Sequence, residues 1–410
     1  MPDFLLQTLR SAAQLALAGF VVVLALVVYA FFRPPIPAPL LAKADVPGPP
    51  LVSVVLGHAR NVKQLVIACD GPYDVAVLPR EERVSSGDIL AGMPIVAQGQ
   101  DLLFGQADVQ GAELRLRPVG TAAVAVNGKR YAGCVRVVRT GDGVTAYNDL
   151  DIESYLEGVL GAEMLLNWNE AALEAQAIVA RTYAMHEIKQ ARSASGGKAA
   201  ALLDNVNAQV YKGLAVRTPR AAEIVRRTRG MVLIHGGELI RAFFHNTCGG
   251  ATEPAHLFFE APDIAPLMGR SCGFCNPSPH ATWRATLTKK ELGALLAAFG
   301  NAEQRPVTQV AVVHAAASGR ATQVSFSTAG GVSGRTVKAV DFRLAIGPER
   351  LRSTWFEFAD MGATIEFSGK GWGHGVGLCQ WGARGMGDAG LGSLEILRFY
   401  YPNADVVRIY

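Results

Sequence analysis

The chain has 410 residues, of which 50% are hydrophobic and 18% are charged, so a packed core is expected and extensive disorder is excluded. The formal net charge is +4, from 39 basic and 35 acidic residues, a balance that predicts no nucleic acid partner. Six cysteines in so long a chain exclude a small disulfide-framework protein.

An apolar run near the N-terminus predicts a membrane anchor. No charged residue lies between Arg10 and Arg33, and the 18 residues from Leu15 to Phe32 are almost all apolar. At about 1.5 Å per residue, a helix of this length spans roughly 27 Å, near the hydrocarbon thickness of a bilayer. A cleaved signal peptide is the alternative, but its apolar core is usually only about 7–15 residues long. We therefore predict an uncleaved single-pass anchor over residues 1–33.

The composition changes twice after the anchor. Residues 34–50 hold seven of the 21 prolines, which is typical of a stiff linker. Short apolar runs separated by turn signals then predict a β-rich subdomain over residues 51–147. Residues 148–410 mix helices and strands, most clearly in an alanine-rich helix over residues 171–194. Because helices and strands follow no βαβ rhythm, the predicted fold class is α+β.

One segment near the C-terminus, residues 369–377, has a glycine at every second position, and we call it the glycine-alternating segment. In an extended chain this pattern leaves one face as bare backbone, which marks the close approach of another backbone or a ligand. The other face presents Trp372 and His374, which suit a sugar. The segment predicts either a tightly packed internal strand or the wall of a glycan-binding groove.

Four sequence blocks, in this order and spacing, resemble the SpoIID/LytB domains of the stage II sporulation protein D family. They are LDIESYLEGVLGAEM (residues 150–164), AQAIVARTYA (175–184), QVYKG (209–213) and GWGHGVGLCQWGA (371–383). The resemblance covers roughly residues 50–410. Together with the predicted anchor, it implies a membrane-anchored ectodomain on the extracytoplasmic, cell-wall side.

The activity that the resemblance implies is that of a peptidoglycan lytic transglycosylase. Such an enzyme cleaves the bond between N-acetylmuramic acid and N-acetylglucosamine, typically in glycan strands stripped of stem peptides, and leaves a 1,6-anhydro end. Some family members are instead known as amidase enhancers. A non-catalytic glycan-binding protein that acts with a cell-wall amidase is therefore the alternative function.

The resemblance implies Glu163 as the catalytic acid. A general acid needs apolar surroundings that raise its pKa, and the near neighbours of Glu163 in sequence are apolar: Leu160, Met164, Leu165 and Trp168. An ordinary glycosidase needs a second carboxylate. A lytic transglycosylase does not, because the sugar's own C6 hydroxyl attacks and one residue serves as acid and then as base. A surface carboxylate before a helix is the alternative for Glu163.

The resemblance also implies which residues line the substrate groove, beside Trp372 of the glycine-alternating segment: Arg181, Tyr211, Lys212, His374 and Gln380. Arg181 and Lys212 would orient N-acetyl or carboxylate oxygens through charge-assisted hydrogen bonds. A structural ion pair is the alternative for both.

Three cysteines and a histidine form a candidate zinc site. Cys272 and Cys275 make a CxxC pair, His280 follows five residues later, and Cys248 lies close to His245. Three thiolates and one imidazole complete a closed tetrahedral site, so we expect structural zinc on Cys248, Cys272, Cys275 and His280, with His245 as an alternative fourth ligand. A disulfide among these cysteines or free thiols are competing possibilities. A zinc hydrolase would instead need an open coordination position.

Overall fold

The computed structural model describes residues 48–194, 201–205 and 208–410. The predicted anchor over residues 1–33 and most of the predicted linker over residues 34–50 lie outside these ranges. Among the described residues, no helix is both long enough and apolar enough to cross a membrane. The described chain is rich in strands and mixes them with helices, which confirms the α+β fold class.

Short apolar runs form many of the strands, as their alternation predicts. In chain order the strands are β1 (Leu51–Val55), β2 (Gln64–Cys69), β3 (Tyr73–Val77), β4 (Glu82–Gly87), β5 (Leu90–Gln98), β6 (Asp101–Phe104), β7 (Ala107–Val109), β8 (Glu113–Pro118), β9 (Val124–Val126), β10 (Lys129–Tyr131), β11 (Cys134–Thr140), β12 (Gly143–Asp151), β13 (Ala201–Leu203), β14 (Met231–His235), β15 (Glu238–Leu239), β16 (Phe244–His245), β17 (Thr282–Thr288), β18 (Val307–Ala315), β19 (Ala321–Thr328), β20 (Arg335–Lys338), β21 (Phe356–Asp360), β22 (Thr364–Lys370), β23 (Leu378–Cys379) and β24 (Asp405–Arg408).

Most strands of the N-terminal part belong to two sheets. Seven strands pair in the order β13-β1-β12-β11-β8-β3-β4, and six pair in the order β10-β9-β2-β5-β6-β7. Strand β12 continues past residue 147, where the sequence analysis places a subdomain boundary, and β13 adds in parallel to the edge of β1. Backbone hydrogen bonds therefore tie the β-rich part to the chain that follows.

Several helices begin where a capping side chain satisfies the first amides. Asp151 Oδ1 accepts from the amides of Glu153 and Ser154 at 3.0 and 3.1 Å, and the Thr218 hydroxyl accepts from the Ala221 amide at 3.1 Å. The α-helices are α1 (Ile152–Glu163), α2 (Glu170–Ala194), α3 (Pro219–Arg227), α4 (Lys289–Leu295), α5 (Ala339–Ile346), α6 (Gln380–Asp388) and α7 (Ser393–Tyr400). Short 3₁₀ turns lie at Gly57–Ala59, Gly213–Val216, Ala255–Leu257, Ala265–Leu267 and Ala297–Phe299.

Helix α2 runs through the main core and carries a buried ion pair. Arg181 is fully buried, and its Nη2 and Nε donate to the Glu153 carboxylate of α1 at 2.7 and 3.0 Å. The same guanidinium donates to the Met231 carbonyl of β14 at 3.1 Å. A buried charge is tolerated only when it is paired and hydrogen-bonded in this way. The groove position expected for Arg181 is therefore wrong, because Arg181 is a structural residue that joins three elements.

A second hydrophobic core lies within residues 282–370, which we call the inserted unit. The unit begins and ends at one place, because β17 and β22 pair antiparallel with Thr282 opposite Lys370. Phe326 of β19 and Phe342 of α5 are both fully buried in this separate core. No sequence signal sets the unit apart, because its strands alternate like those of the rest of the chain.

The glycine-alternating segment lies against residues 243–249 at backbone distance. A Cβ on Gly377 would stand 1.9 Å from the Phe243 carbonyl oxygen, and one on Gly371 would stand 2.4 Å from that of Thr247. Four glycines have positive φ, between +70° and +109°: Gly371, Gly373, Gly375 and Gly377. The expected extended strand is therefore wrong in its backbone conformation. The expected close approach of another backbone is confirmed.

We predict that Gly373→Ala destabilises the protein by about 2–5 kcal/mol, because it combines a strained φ with overpacking. Gly373 has φ of +109°, and its added Cβ would stand 2.7 Å from the Cβ of His245. Gly334→Ala is the matched control, since Gly334 has φ of +56° and nothing within 4 Å of the added carbon. Urea unfolding of both variants measures the difference. Equal losses would show that the contact with His245 contributes nothing.

Candidate active site

A cleft of about 410 Å³ opens where helix α1 ends. Its walls come from several separate stretches of the chain: residues 162–163, 208–212, 244–246, 343–349, 372–374 and the first residue of α6. Most of the residues that the sequence analysis assigns to the site meet here: Glu163, Lys212, Trp372, His374 and Gln380.

Glu163 is the last residue of α1, because Met164 turns to extended backbone. The Glu163 Oε1 accepts a hydrogen bond from the Val210 amide at 2.7 Å, and the Gln380 side chain also bonds to the carboxyl group. Burial raises the pKa of Glu163, although the Val210 amide, Gln380 and the charge of Lys212 lower it. The carboxyl group is therefore held in one position and protonated more readily than usual, as a general acid requires.

The apolar surroundings of Glu163 come only partly from its neighbours in sequence. Leu165, which the sequence analysis expects beside the acid, is 62% exposed. Leu160 and Met164 are buried, and Phe244 borders the same cleft from a distant part of the chain. The tertiary fold therefore contributes to the desolvation of the acid.

Two neutral histidines line the cleft. Burial lowers the pKa of His245 to about 3 and that of His374 well below its usual value. The His245 Nδ1 donates to the Val376 carbonyl at 3.0 Å, while the His374 Nδ1 accepts from the Val376 amide at 3.1 Å. Val376 thus sets both tautomers. Because neither ring is charged, neither adds positive charge that would lower the pKa of Glu163.

Trp372 supplies an aromatic wall, and His280 supports it. The two rings pack edge to face with centroids 4.4 Å apart, and the Arg352 guanidinium lies 5.4 Å from the Trp372 ring centroid. A rigid indole face bordering a cleft is suited to pack against a sugar ring.

Tyr211 does not line the cleft. It is buried, its hydroxyl donates to Asn148 Oδ1 at 2.6 Å, and its ring stacks on Tyr155 with centroids 5.2 Å apart. Gly158 makes room for the ring, because a Cβ there would stand 2.5 Å from it. The groove role expected for Tyr211 is therefore wrong, since its contacts join β12 to α1.

The acidic residues that precede Glu163 in sequence have other partners. Asp151 caps α1, Glu153 pairs with Arg181, and Glu157 pairs with Arg217. Among the described residues, the other carboxylate that borders the cleft is Glu349, an exposed residue of the inserted unit. A mechanism with a second carboxylate would therefore depend on Glu349.

Comparison with known proteins identifies the family of the chain. A family model described as Stage II sporulation protein matches residues 140–235, and a second, described as a domain of unknown function, matches residues 267–377. An uncharacterized protein of Brachyspira hyodysenteriae is 33% identical over 69% of this chain and 73% of its own length. Stage II sporulation protein D of Bacillus amyloliquefaciens is 30% identical over 63% of this chain and 74% of its own length. The chain belongs to the stage II sporulation protein D family.

The chain is also similar to an amidase enhancer. The amidase enhancer of Bacillus subtilis is 24% identical to this family member, over 71% of this chain and 46% of the enhancer.

This stage II sporulation protein D family member also holds four buried cysteines in one cluster: Cys248, Cys272, Cys275 and Cys379. Their sulfur atoms all lie within 4.8 Å of one another. Zinc bound to four thiolates at about 2.3 Å places the sulfurs roughly 3.8 Å apart, so this set fits the ion. The structure does not bring His280 to the cluster, because its ring packs on Trp372. The fourth member is Cys379 and not the expected histidine.

Backbone amides donate hydrogen bonds to a sulfur of the cluster. The Cys379 Sγ accepts from the amides of Cys248 and Gly382 at 3.2 and 3.3 Å. The Cys248 and Cys275 sulfurs are 3.4 Å apart, and none of the six cysteines forms a disulfide. The structure therefore shows no disulfide in the cluster.

A buried cation lies next to these cysteines. Arg320 of the inserted unit is fully buried, and its Nη2 donates to the Cys248 carbonyl. Its nearest carboxylate, Glu253, is 3.9 Å away, and its Nε and Nη1 have no hydrogen-bond partner among the described residues. A buried guanidinium requires nearby negative charge, which ionised thiolates of the cluster would supply.

Sequence reasoning missed three residues of the site region. Cys379 belongs to the motif block of residues 371–383 and lies far from the CxxC pair in sequence, although the chain has four cysteines after residue 200, which is a complete tetrahedral set. Arg343 and Glu349 carry no local motif, and only the folding of the inserted unit brings them to the cleft.

We predict that Glu163→Gln gains stability relative to the wild type as the pH rises from about 4 to about 7. Burial raises the folded-state pKa of Glu163 above 4.5, so the stability from its protonated form is complete below that pH and is lost as the pH rises through the folded pKa. Glutamine does not ionise and keeps that stability. Urea unfolding at both pH values measures the change.

The matched control for this prediction is Glu223→Gln. Arg226 and Arg227 lower the pKa of Glu223 to about 2, so this variant should lose stability relative to the wild type as the pH rises. A Glu163→Gln difference that is independent of pH would contradict the raised pKa.

Proposed function

We propose that the protein is a peptidoglycan lytic transglycosylase that cleaves the bond between N-acetylmuramic acid and N-acetylglucosamine, with Glu163 as acid and base. The observation that carries the proposal is a hydrogen-bonded carboxyl group with a raised pKa, which faces a cleft bordered by an aromatic wall. Membership of the family supports a role at the cell wall. The activity and location that we expect from the sequence are part of this proposal, including anchoring by residues 1–33 outside the cytoplasm.

In this mechanism Glu163 donates its carboxyl proton to the glycosidic oxygen. The bond between that oxygen and C1 of muramic acid breaks, and the leaving sugar keeps the proton. The C6 hydroxyl of the same muramic acid then attacks C1 and gives its proton to the Glu163 carboxylate. A 1,6-anhydro ring forms, no water is consumed, and the acid is regenerated.

The other cleft residues have positioning roles in this mechanism. The Val210 amide and Gln380 hold the carboxyl group in place, and the positive charge of Lys212 stabilises the carboxylate that exists between the two proton transfers. Trp372 and His374 contribute to the sugar-binding wall.

We predict that Glu163→Gln lowers the formation of anhydro-ended products by at least about 100-fold, because a general acid usually contributes 10²–10⁴-fold. The full chain, purified in detergent, is incubated with denuded glycan strands, and mass spectrometry identifies the ends. Glu349→Gln tests the second carboxylate of the cleft and should still form anhydro ends. Ordinary reducing ends that depend on Glu349 would instead indicate hydrolysis with two carboxylates.

A second candidate function is that of a glycan-binding amidase enhancer, and the similarity to the amidase enhancer of Bacillus subtilis is the observation that favours it. This function needs the cleft but no proton transfer. Glu163→Gln protein that still stimulates a cell-wall amidase fully, together with wild-type protein that forms no anhydro ends, would support the enhancer over the enzyme.

We also propose that Cys248, Cys272, Cys275 and Cys379 hold a structural zinc ion. The buried four-sulfur cluster and the underpaired Arg320 beside it support this assignment. Four protein ligands fill a tetrahedral site, so the ion would brace the fold and would not activate water. The alternative of a zinc hydrolase lacks the open coordination position that it needs.

We expect the purified chain to contain about one zinc per molecule by inductively coupled plasma mass spectrometry. Cys379→Ser should lose the metal and lower the melting temperature, because it removes one of four ligands. Cys134→Ser, outside the cluster, is the matched control, and His280→Ala should keep the metal. If Cys379→Ser retained zinc and His280→Ala lost it, the fourth ligand would be His280 and not Cys379.

A further inference from the structure

A half-buried arginine of the inserted unit stands at the cleft. Arg343 belongs to helix α5, and it borders both the cleft of Glu163 and an adjoining cavity of about 240 Å³. The adjoining cavity has aromatic walls from Tyr183, Phe243 and Phe259. Arg343 therefore lies between a polar space and an apolar one.

Arg343 has little compensation for its charge. Its Nε donates to the Arg352 carbonyl at 2.9 Å, and among the described residues it forms no ion pair. Burial and the nearby charge of Arg320 lower the pKa of Arg343 to about 10, and Glu349 acts in the opposite direction. The two terminal nitrogens of the guanidinium thus remain available to an incoming ligand.

Two other guanidinium groups near these spaces are already paired or enclosed. Arg241, which borders the aromatic cavity, pairs with Glu187 at 2.9 Å. Lys212 also borders the cleft, but it offers an ammonium group, whose charge acts on Glu163. Arg320 is enclosed at the cysteine cluster. An anionic group that enters the cleft therefore meets Arg343 as its available guanidinium.

We infer that Arg343 binds the carboxylate of the lactyl group on a muramic acid in the cleft. This inference rests on the proposed function, which places a glycan strand there. A guanidinium recognises a carboxylate with two parallel hydrogen bonds, and the adjoining aromatic cavity offers apolar surface to the methyl group of the same substituent. A lactyl group ends in a carboxylate when it carries no peptide and in an amide when it does.

Arg343 then acts as a specificity-determining residue. It favours muramic acid with a free carboxylate over muramic acid whose carboxyl group is an amide, because an amide offers no negative charge to the guanidinium. The selectivity comes from the inserted unit, which lies outside the region that matches the Stage II sporulation protein family model.

The test compares two ligands that differ only at the carboxyl group: denuded glycan strands, and the same strands after their carboxylates are converted to N-methylamides. Calorimetry measures binding to the full chain in the Glu163→Gln background, which prevents turnover. Arg343→Met should weaken binding to the carboxylate strands roughly tenfold or more and leave binding to the amide strands within about twofold.

Two further variants separate the charge from the shape of the side chain. Arg343→Lys keeps the charge and should restore part of the lost affinity. Arg350→Met is the matched control. Arg350 also belongs to the inserted unit, but it is exposed and pairs with Glu291 away from the cleft. Its affinity for both ligands should equal that of the parent protein.

The outcomes distinguish this inference from the proposed function. Equal losses for the two ligands in Arg343→Met, or no loss for either, would overturn the role of Arg343 even where the wild type forms anhydro ends. Carboxylate-selective binding that depends on Arg343, without any anhydro product from the wild type, would support the inference and overturn the enzyme. Absence of binding to both ligands by the parent protein would overturn both.

Discussion

The site depends on the contact between two backbones that lack side chains between them. The glycine-alternating segment reaches residues 243–249 because no Cβ stands in the way, and β23 then pairs in parallel with β16. This contact places His245 and His374 together at the cleft. It also delivers Cys379 to the cysteine cluster and Gln380 to the acid. The cleft and the cysteine cluster therefore depend on the same backbone contact, so a change that separates the two backbones affects both.

Charges in this protein divide into those that are paired within the chain and those that are not. Arg181 and Glu153 satisfy each other in the core, and their role is to join helices and a strand. Glu163 and Arg343, in contrast, have hydrogen bonds that orient them but no opposite charge in direct contact. An oriented, half-buried group without a counter-ion keeps part of its interaction energy for a ligand.

Sequence reasoning succeeded where the signal is local. The long alanine-rich helix and the N-terminal strands follow from residues a few positions apart. The motif blocks also located Glu163, Lys212 and Gln380 at the cleft. Long-range pairing was the limit. Arg181 and Tyr211 belong to the same blocks as true cleft residues, but their side chains point into the core, and no local pattern reveals that direction. Cys379, and not the expected His280, is the fourth member of the cysteine cluster, and this too depends on contacts between residues more than 100 positions apart.

The inserted unit leaves and rejoins the chain between facing residues of β17 and β22. A module that is attached by adjacent ends can be rebuilt, lengthened or exchanged with little effect on the path of its host, since the closure of the surrounding chain stays the same. Two of its arginines nevertheless reach outside it, Arg343 to the cleft and Arg320 to the cysteine cluster. Exchanging this unit would therefore change the ligand preference of the cleft and the charge beside the cysteine cluster at the same time.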